Sequence, residues 1–265
     1  MENERYRLWR EGGDPTAPFI VCAMFTPGYR SLAERLAQSL THFSLAHALF
    51  EVEAVHRSIN PRGSSDLAFS KPGFIRFLLE RFSKPVLYVD ADMVFRREPA
   101  LIASLCNESC DFAIYNWLAD PRNDAWCPDQ DGRWRFFFSI DVESDSQLMA
   151  SGGVQLWRAT PAAVALLSAW ERTIAGHPGA QDDHCLDFAF NHGGFPGLEP
   201  RWLPKEYCRH AFWPYVEAVI DHPQFPAPDA GQWKDLGIAR LDRGKIRRAA
   251  KQQPFPRDQV LDRIP

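Results

Sequence analysis

The chain has 265 residues, 45% of them hydrophobic and 24% charged, with a formal net charge of −4. That length holds one large or two small domains with a substantial core, and the charge offers no general pull toward nucleic acid or an anionic membrane. No apolar run approaches the roughly 20 residues of a membrane-spanning helix, and the start, Met1 to Arg5, lacks the basic flank and apolar stretch of a secretion signal. The six cysteines then read most simply as reduced thiols in a cytoplasmic protein. Cys106 and Cys110 are spaced as a zinc half-site would be, but no second close pair follows.

Phe19 to Phe25 is a continuous apolar run ended by Thr26-Pro27-Gly28, and it reads as a strand buried on both faces. Ser31 and Glu34 have capping-box spacing before a helix on which Leu32, Leu36, Leu40 and Phe43 share a face. Ala48 to Val55 predicts a second strand, and β-α-β order implies parallel strands with a right-handed crossover. A Gly/Ser/Pro-rich connection, Ser58 to Ser65, precedes a helix from Pro72 to Phe82 that stacks Phe74, Leu78 and Phe82. That helix runs straight into Pro85 to Phe95, where Val86-Leu87-Tyr88-Val89 leads without alternation into Asp90-Ala91-Asp92.

After Pro99 come a short helix and a strand over Asp111 to Tyr115. Trp117 to Ala150 breaks the pattern, mixing Trp117, Trp126, Trp134 and Phe136-Phe137-Phe138 with many charges. So long an aperiodic stretch reads as a functional loop or lid, or equally as an insertion packed by its own aromatics. Ser151-Gly152-Gly153 enters a strand ending at Trp157; Thr160 caps and Pro161 opens a helix with Val164, Leu167, Trp170 and Ile174 on one face. Gly179-Ala180-Gln181 opens another from Asp182 to Asn191. Beyond it the chain is rich in Pro and aromatics, with Val216 to Ile220 as a last short strand before Asp221-His222. The simplest architecture is a single α/β domain with a mostly parallel central sheet: a core over 19–191 and a C-terminal extension over 192–265 that folds back on it.

The chemistry concentrates at Asp90 and Asp92. In open α/β sheets ligands bind beyond the carboxyl ends of the strands. Two carboxylates one residue apart there can hold a hard divalent cation and, through it, a diphosphate. Read alone, the same pair equally describes carboxylates that cap a turn.

Four features in this order, Lys71-Pro72 opening a helix, the Asp90-Ala91-Asp92 strand, the Ser151-Gly152-Gly153 strand and the helix with Asp182-Asp183-His184, resemble the GT-A glycosyltransferases grouped as nucleotide-diphospho-sugar transferases. The resemblance covers roughly Phe19 to Asn191 and, more weakly, the chain to His222. It implies a GT-A, Rossmann-like domain that moves a sugar from a nucleotide-diphosphate donor, most commonly a UDP-sugar, to a hydroxyl acceptor. It further implies that Asp92, and Asp90 directly or through water, hold Mn2+ or Mg2+, with Asp90 facing the nucleotide ribose as the alternative. His222 stands where a late histidine completes the metal shell; otherwise it is a turn histidine before Pro223. Lys71 stands where a basic residue reaches the leaving diphosphate, with Arg76 as the fallback. Thr26, at the end of the first strand, falls on the donor-nucleotide side. Gly152 and Gly153 allow the backbone to approach the donor sugar, or simply turn into a strand. Asp183 resembles the acidic residue facing the donor sugar or acceptor. Relatives have Asp-Gln where this chain has Asp183-His184, so Asp182 competes for that role, and the family leans toward retention of configuration.

Two other readings compete on the residues. Haloacid-dehalogenase-like phosphohydrolases also place Asp-x-Asp after an apolar strand, but near the N-terminus and with a later lysine; here two strands precede the motif, and no lysine lies between Pro85 and Pro204. A non-catalytic nucleotide-sugar binder is opposed by the intact Asp90, Asp92 and Asp183. For the acceptor, Trp117, Trp126 and Trp134 suit stacking on a glycan. The tail Arg240 to Lys251, with six basic residues against one acid, could touch phosphates of a lipid head group or nucleic acid, or simply face solvent.

Overall fold

A computed structural model describes residues 5–52, 67, 70–119, 147–177, 180–210 and 216–222. The connection Ser58 to Ser65, Trp126, Trp134, Phe136 to Phe138 and the basic tail lie outside the described residues. In chain order the strands are β1 (Arg7–Gly12), β2 (Ile20–Phe25), β3 (His47–Glu51), β4 (Val86–Val89), β5 (Val94–Phe95), β6 (Phe112–Asn116), β7 (Ala150–Trp157), β8 (Pro200–Trp202), β9 (Arg209–His210) and β10 (Ile220–His222). The helices are α1 (Arg30–His42), α2 (Lys71–Phe82), α3 (Ala100–Cys106), α4 (Pro161–Gly176) and α5 (Asp182–Gly193).

The fold is α/β. A seven-stranded sheet runs in the order β1-β3-β2-β4-β7-β6-β8. Its core β3-β2-β4 is parallel, while β7 lies antiparallel to both β4 and β6. Every residue of β2 and β4 is buried, because alternate side chains serve opposite faces. Val21, Ala23 and Phe25 pack with Leu36 and Leu40 of α1 and Ile102 of α3. Ile20, Cys22 and Met24 share the other face with Phe74 and Leu78 of α2, Trp170 of α4 and Leu186 of α5. A sheet covered on both faces is the condition that makes strands read as unbroken apolar runs.

A second, three-stranded sheet, β5-β10-β9, stands beside the first. It joins the turn after β4 to the part of the chain beyond α5. Phe95 and Ile220 tie it to the core on the α1 face, and the Phe95 N–H donates to Ser39 Oγ at 3.1 Å. From the same late part of the chain, β8 pairs parallel with β6 at the edge of the large sheet.

Several local expectations shift. No capping box forms at Ser31: Thr26 begins a 3-10 turn over Pro27–Tyr29, and α1 starts at Arg30 with Tyr29 as its N-cap and no side-chain cap bond. The expected cap at Thr160 does form, its Oγ1 accepting from the Ala163 N–H at 3.3 Å. Of Val216 to Ile220 only Ile220 is in a strand, and β10 extends instead through Asp221 and His222. β1, not expected from the sequence, pairs antiparallel with β3 through a bulge between Leu8 and Arg10. Among the described residues no helix is long and apolar enough to cross a membrane.

Candidate active site

The site is built at the carboxyl end of β4. Past the last strand residue the Asp90 N–H still donates to the Gly153 carbonyl at 2.9 Å, and the Asp90 carbonyl accepts from the Met93 N–H at 3.0 Å. The second bond closes a tight turn that carries Asp92. Tyr88 and Asp90, two apart and so on one face, are joined by a 2.8 Å bond from the Tyr88 hydroxyl to Asp90 Oδ1.

Lys71, the first residue of α2, is 7% exposed. Its Nζ lies 3.1 Å from Asp90 Oδ1 and 2.9 Å from Asp182 Oδ2, and donates to the Gly152 carbonyl at 3.4 Å. One ammonium thus joins α2, the end of β4, the Ser-Gly-Gly segment of β7 and the start of α5. Burial alone would push its pKa down; the Asp182 and Asp90 carboxylates outweigh that and hold it well above the ordinary lysine value. Lys71 is therefore charged, and its charge is spent largely on these two carboxylates.

The Asp92 carboxylate points elsewhere. Its Oδ2 lies 3.0 Å from His222 Nε2. Burial raises the Asp92 pKa, but the hydrogen bond and charge of His222 bring it below the usual carboxylate value; burial lowers the His222 pKa, and Asp92 brings it above the usual histidine value. The His222 ring lies 5.2 Å from that of His210, which stacks on Trp117 and whose Nε2 is 3.3 Å from Ser151 Oγ. Burial, followed by the charge of His222, pushes the His210 pKa down to about 3, so that ring is neutral.

As a metal site this donor set fits in part. A carboxylate and an imidazole suit a divalent ion such as Mn2+. Their 3.0 Å separation is that of two adjacent corners of an octahedron with bonds of about 2.1 Å. Among the described residues no three His, Cys, Asp or Glu side chains are arranged to hold a metal ion, and Asp90 is turned toward Lys71 and Tyr88.

The acidic residues of α5 divide by position. Asp182 is buried against Lys71, and burial raises its pKa against the pull of that lysine. Asp183, about 100° round the helix, is partly exposed and accepts from the His184 N–H at 3.0 Å. Asp187 is buried and accepts from the Ala150 N–H at 2.7 Å, which fastens α5 to the start of β7. A Cβ on Gly152 would sit 3.3 Å from Asp183 Cβ, and one on Gly153 would sit 2.5 Å from Met93 Cε and 3.3 Å from Asp90 Oδ2. Gly152 thus makes room for the acidic side chains of α5, and Gly153 chiefly for Met93 with Asp90 beside it.

Asp90, Asp92, Lys71, Gly152, Gly153, Asp182, Asp183 and His222 are thus drawn to one end of the sheet, with Thr26 at the end of the neighbouring β2. Two candidates stand apart. Arg76 pairs with Glu171 of α4 at 2.9 Å; five residues past Lys71, it projects about 140° round the helix from it. Trp117 is only 3% exposed, packed between Tyr115 and His210, and is core rather than an open stacking platform. Sequence reasoning passed over Tyr88, although its i, i+2 relation to Asp90 was visible. It also passed over Tyr29, whose pKa is raised by burial and then by Asp92 and Asp90, and over Asp221.

With this geometry in hand, comparison with known proteins is direct. A family model described as nucleotide-diphospho-sugar transferase matches residues 17–223. No curated protein matches the chain. Among solved structures, the fold is similar to a glycosyltransferase involved in the glycosylation of the major capsid of PBCV-1, at 10% identity over 83% of this chain and 99% of that one, TM-score 0.53. It is also similar to the galactosyltransferase LgtC, solved with donor and acceptor sugar analogs, at 12% identity over 89% and 98% of the two chains, TM-score 0.50.

Proposed function

The chain belongs to the nucleotide-diphospho-sugar transferases, which makes it a glycosyltransferase of GT-A fold, and from that premise we propose a metal-dependent transfer of a sugar from a UDP-sugar to a hydroxyl of a glycan. The observation that carries the reading is the pairing of Asp92 with His222 beside an Asp90 held by Lys71.

Asp92 and His222 would hold Mn2+ or Mg2+, which supplies Lewis-acid stabilisation to the departing diphosphate. Lys71 ties Asp90 and Asp182 in place at 3.1 Å and 2.9 Å, so the groups around the reacting centre are fixed before reaction, as electrostatic catalysis requires. Asp90 takes the positioning role, toward the ribose side, rather than that of an outstretched ligand. Asp183, the more open carboxylate, acts on the transition state as a base toward the acceptor or as a stabiliser of positive charge at the sugar carbon. Thr26 lines the nucleotide side. The phosphohydrolase reading fares worse, since the family match over residues 17–223 is to nucleotide-diphospho-sugar transferases.

The test is a panel of nucleotide sugars incubated with the protein and Mn2+, with release of the nucleoside diphosphate as readout. The expected result is turnover of a UDP-sugar that EDTA abolishes. Equal turnover with EDTA would overturn the metal, a preference for another base would overturn UDP, and tight binding without any turnover would favour the non-catalytic binder.

A further inference from the structure

Asp221 lies next to His222 in the sequence, yet it takes no part in the contacts of the site. It is 1% exposed. Its Oδ2 accepts from Arg96 Nε at 3.1 Å and Nη2 at 3.0 Å, and its Oδ1 accepts from Arg209 Nε at 2.8 Å. Arg96 follows β5, the strand that continues from the Asp92 turn, and Arg209 belongs to β9. A single carboxylate thus grips both neighbours of the central strand β10. We propose that Asp221 is a positioning residue: held between Arg96 and Arg209, it fixes the register of β10 and thereby sets His222 against Asp92.

The need for such a residue follows from the size of the sheet. β10 pairs with β5 through Ile220↔Phe95 and Asp221↔Val94, and with β9 through Asp221↔Arg209 and His222↔His210. So short a ladder specifies its register weakly. Successive side chains point to opposite faces: Arg209 and Asp221 meet on one, and the His210 and His222 rings lie 5.2 Å apart on the other. A slip of one residue would exchange the faces, turning Asp221 toward Asp92 and His222 away. Backbone bonds from the Arg96 N–H to the Val219 carbonyl at 2.8 Å and from the Val219 N–H to the Glu206 carbonyl at 2.7 Å hold the approach. Arg97 adds bonds to the Ala218 and Glu217 carbonyls, and Asp221 adds a side-chain grip on both neighbours of the strand itself. An apolar side chain would satisfy burial there, whereas a carboxylate with both oxygens engaged is satisfied only in register, the kind of specificity a buried ionic group can impose.

The inference rests on the reading of Asp92 and His222 as a metal pair, and its test separates the two. UDP, with GDP as a second probe, is titrated calorimetrically into the full chain with Mn2+ and with EDTA. Outer partners of metal ligands typically contribute about 10–100-fold in metal affinity. Asp221→Asn is therefore expected to raise the Mn2+ needed for half of the affinity gain by roughly 10-fold or more, leaving the affinity in EDTA unchanged. Arg96→Gln, at a half-exposed position and with Arg209 still bonded to Asp221, is expected to act in the same direction and less. An unchanged Mn2+ requirement in the folded variants overturns the proposal, as does an equal loss in EDTA and Mn2+, which marks a general structural role. No Mn2+ gain in the unaltered protein would overturn the metal reading itself, and this inference with it.

Discussion

His222 Nε2 and Asp92 Oδ2 meet at 3.0 Å although 130 residues separate them in the chain. Two sites so far apart in sequence come together because the small sheet draws the chain beyond α5 onto the turn that follows β4. On the proposed reading, a divalent ion would replace the proton between them.

The first prediction follows from that pair. Mn2+ is expected to strengthen binding of a nucleoside diphosphate, and Asp92→Asn to remove the gain, since the carboxylate is the charged member. His222→Ala should reduce it less. Calorimetry with Mn2+ and with EDTA is the measurement, and a His222→Ala protein indistinguishable from the unaltered one would remove the histidine from the site.

The second concerns Lys71. In Lys71→Met the buried Asp182 carboxylate loses its counter-ion, and breaking a buried pair from one side costs about 3–5 kcal/mol; the part-exposed Asp90 adds little because solvent screens it. Urea unfolding should show a loss of that order. A loss well below 1 kcal/mol would mean that water reaches both carboxylates.

Asp182 and Asp183, neighbours in sequence, should fail differently. Asp183→Asn is expected to keep metal-dependent nucleotide binding while losing roughly 10²-fold in turnover, the scale of a general base or charge stabiliser. Asp182→Asn should instead show in the melting temperature, because it removes one of the two carboxylates paired with Lys71. Full turnover in Asp183→Asn would leave that carboxylate as a helix-end acceptor only.

Asp187 offers a test in pH. Burial, and then the charge of Asp183, raise its folded pKa well above the ordinary value near 3.8, against the hydrogen bond from Ala150. The folded state thus holds the proton more tightly than the unfolded one, and stability falls as pH rises from the unfolded pKa through the folded one. Asp187→Asn retains the acceptor for Ala150 and carries no charge. It should therefore be more stable than the parent at neutral pH, with the advantage shrinking as pH drops toward about 4. Thermal melts of both proteins across that range check the sign, and transfer activity in the variant should persist.

What could be read in the sequence follows the local character of each signal. Phe19 to Phe25 and Val86 to Val89 announced themselves because strands covered on both faces leave no polar positions. β1 did not, because all its residues but Trp9 are exposed and its identity comes from pairing with β3 alone. Asp90, Asp92 and the Gly152-Gly153 pair were visible as motifs. That Lys71 would be spent on Asp182 as well as Asp90 was not, since no spacing encodes a contact between the starts of two helices. Trp117 shows the opposite limit: composition marked it as a surface for sugars, and Tyr115 and His210 enclose it.

The two outer strands of the large sheet have a consequence for the company this protein keeps. A free strand edge offers unpaired N–H and C=O groups to any other chain, and natural sheets blunt it with bulges, charges, proline or brevity. Among the described residues β1 is bulged between Leu8 and Arg10 and carries Arg7, Arg10 and Glu11 outward. At the far side β8 is three residues long and begins with Pro200, which has no N–H to offer. Among the described residues, both borders of the large sheet are thus blunted against the addition of a further strand.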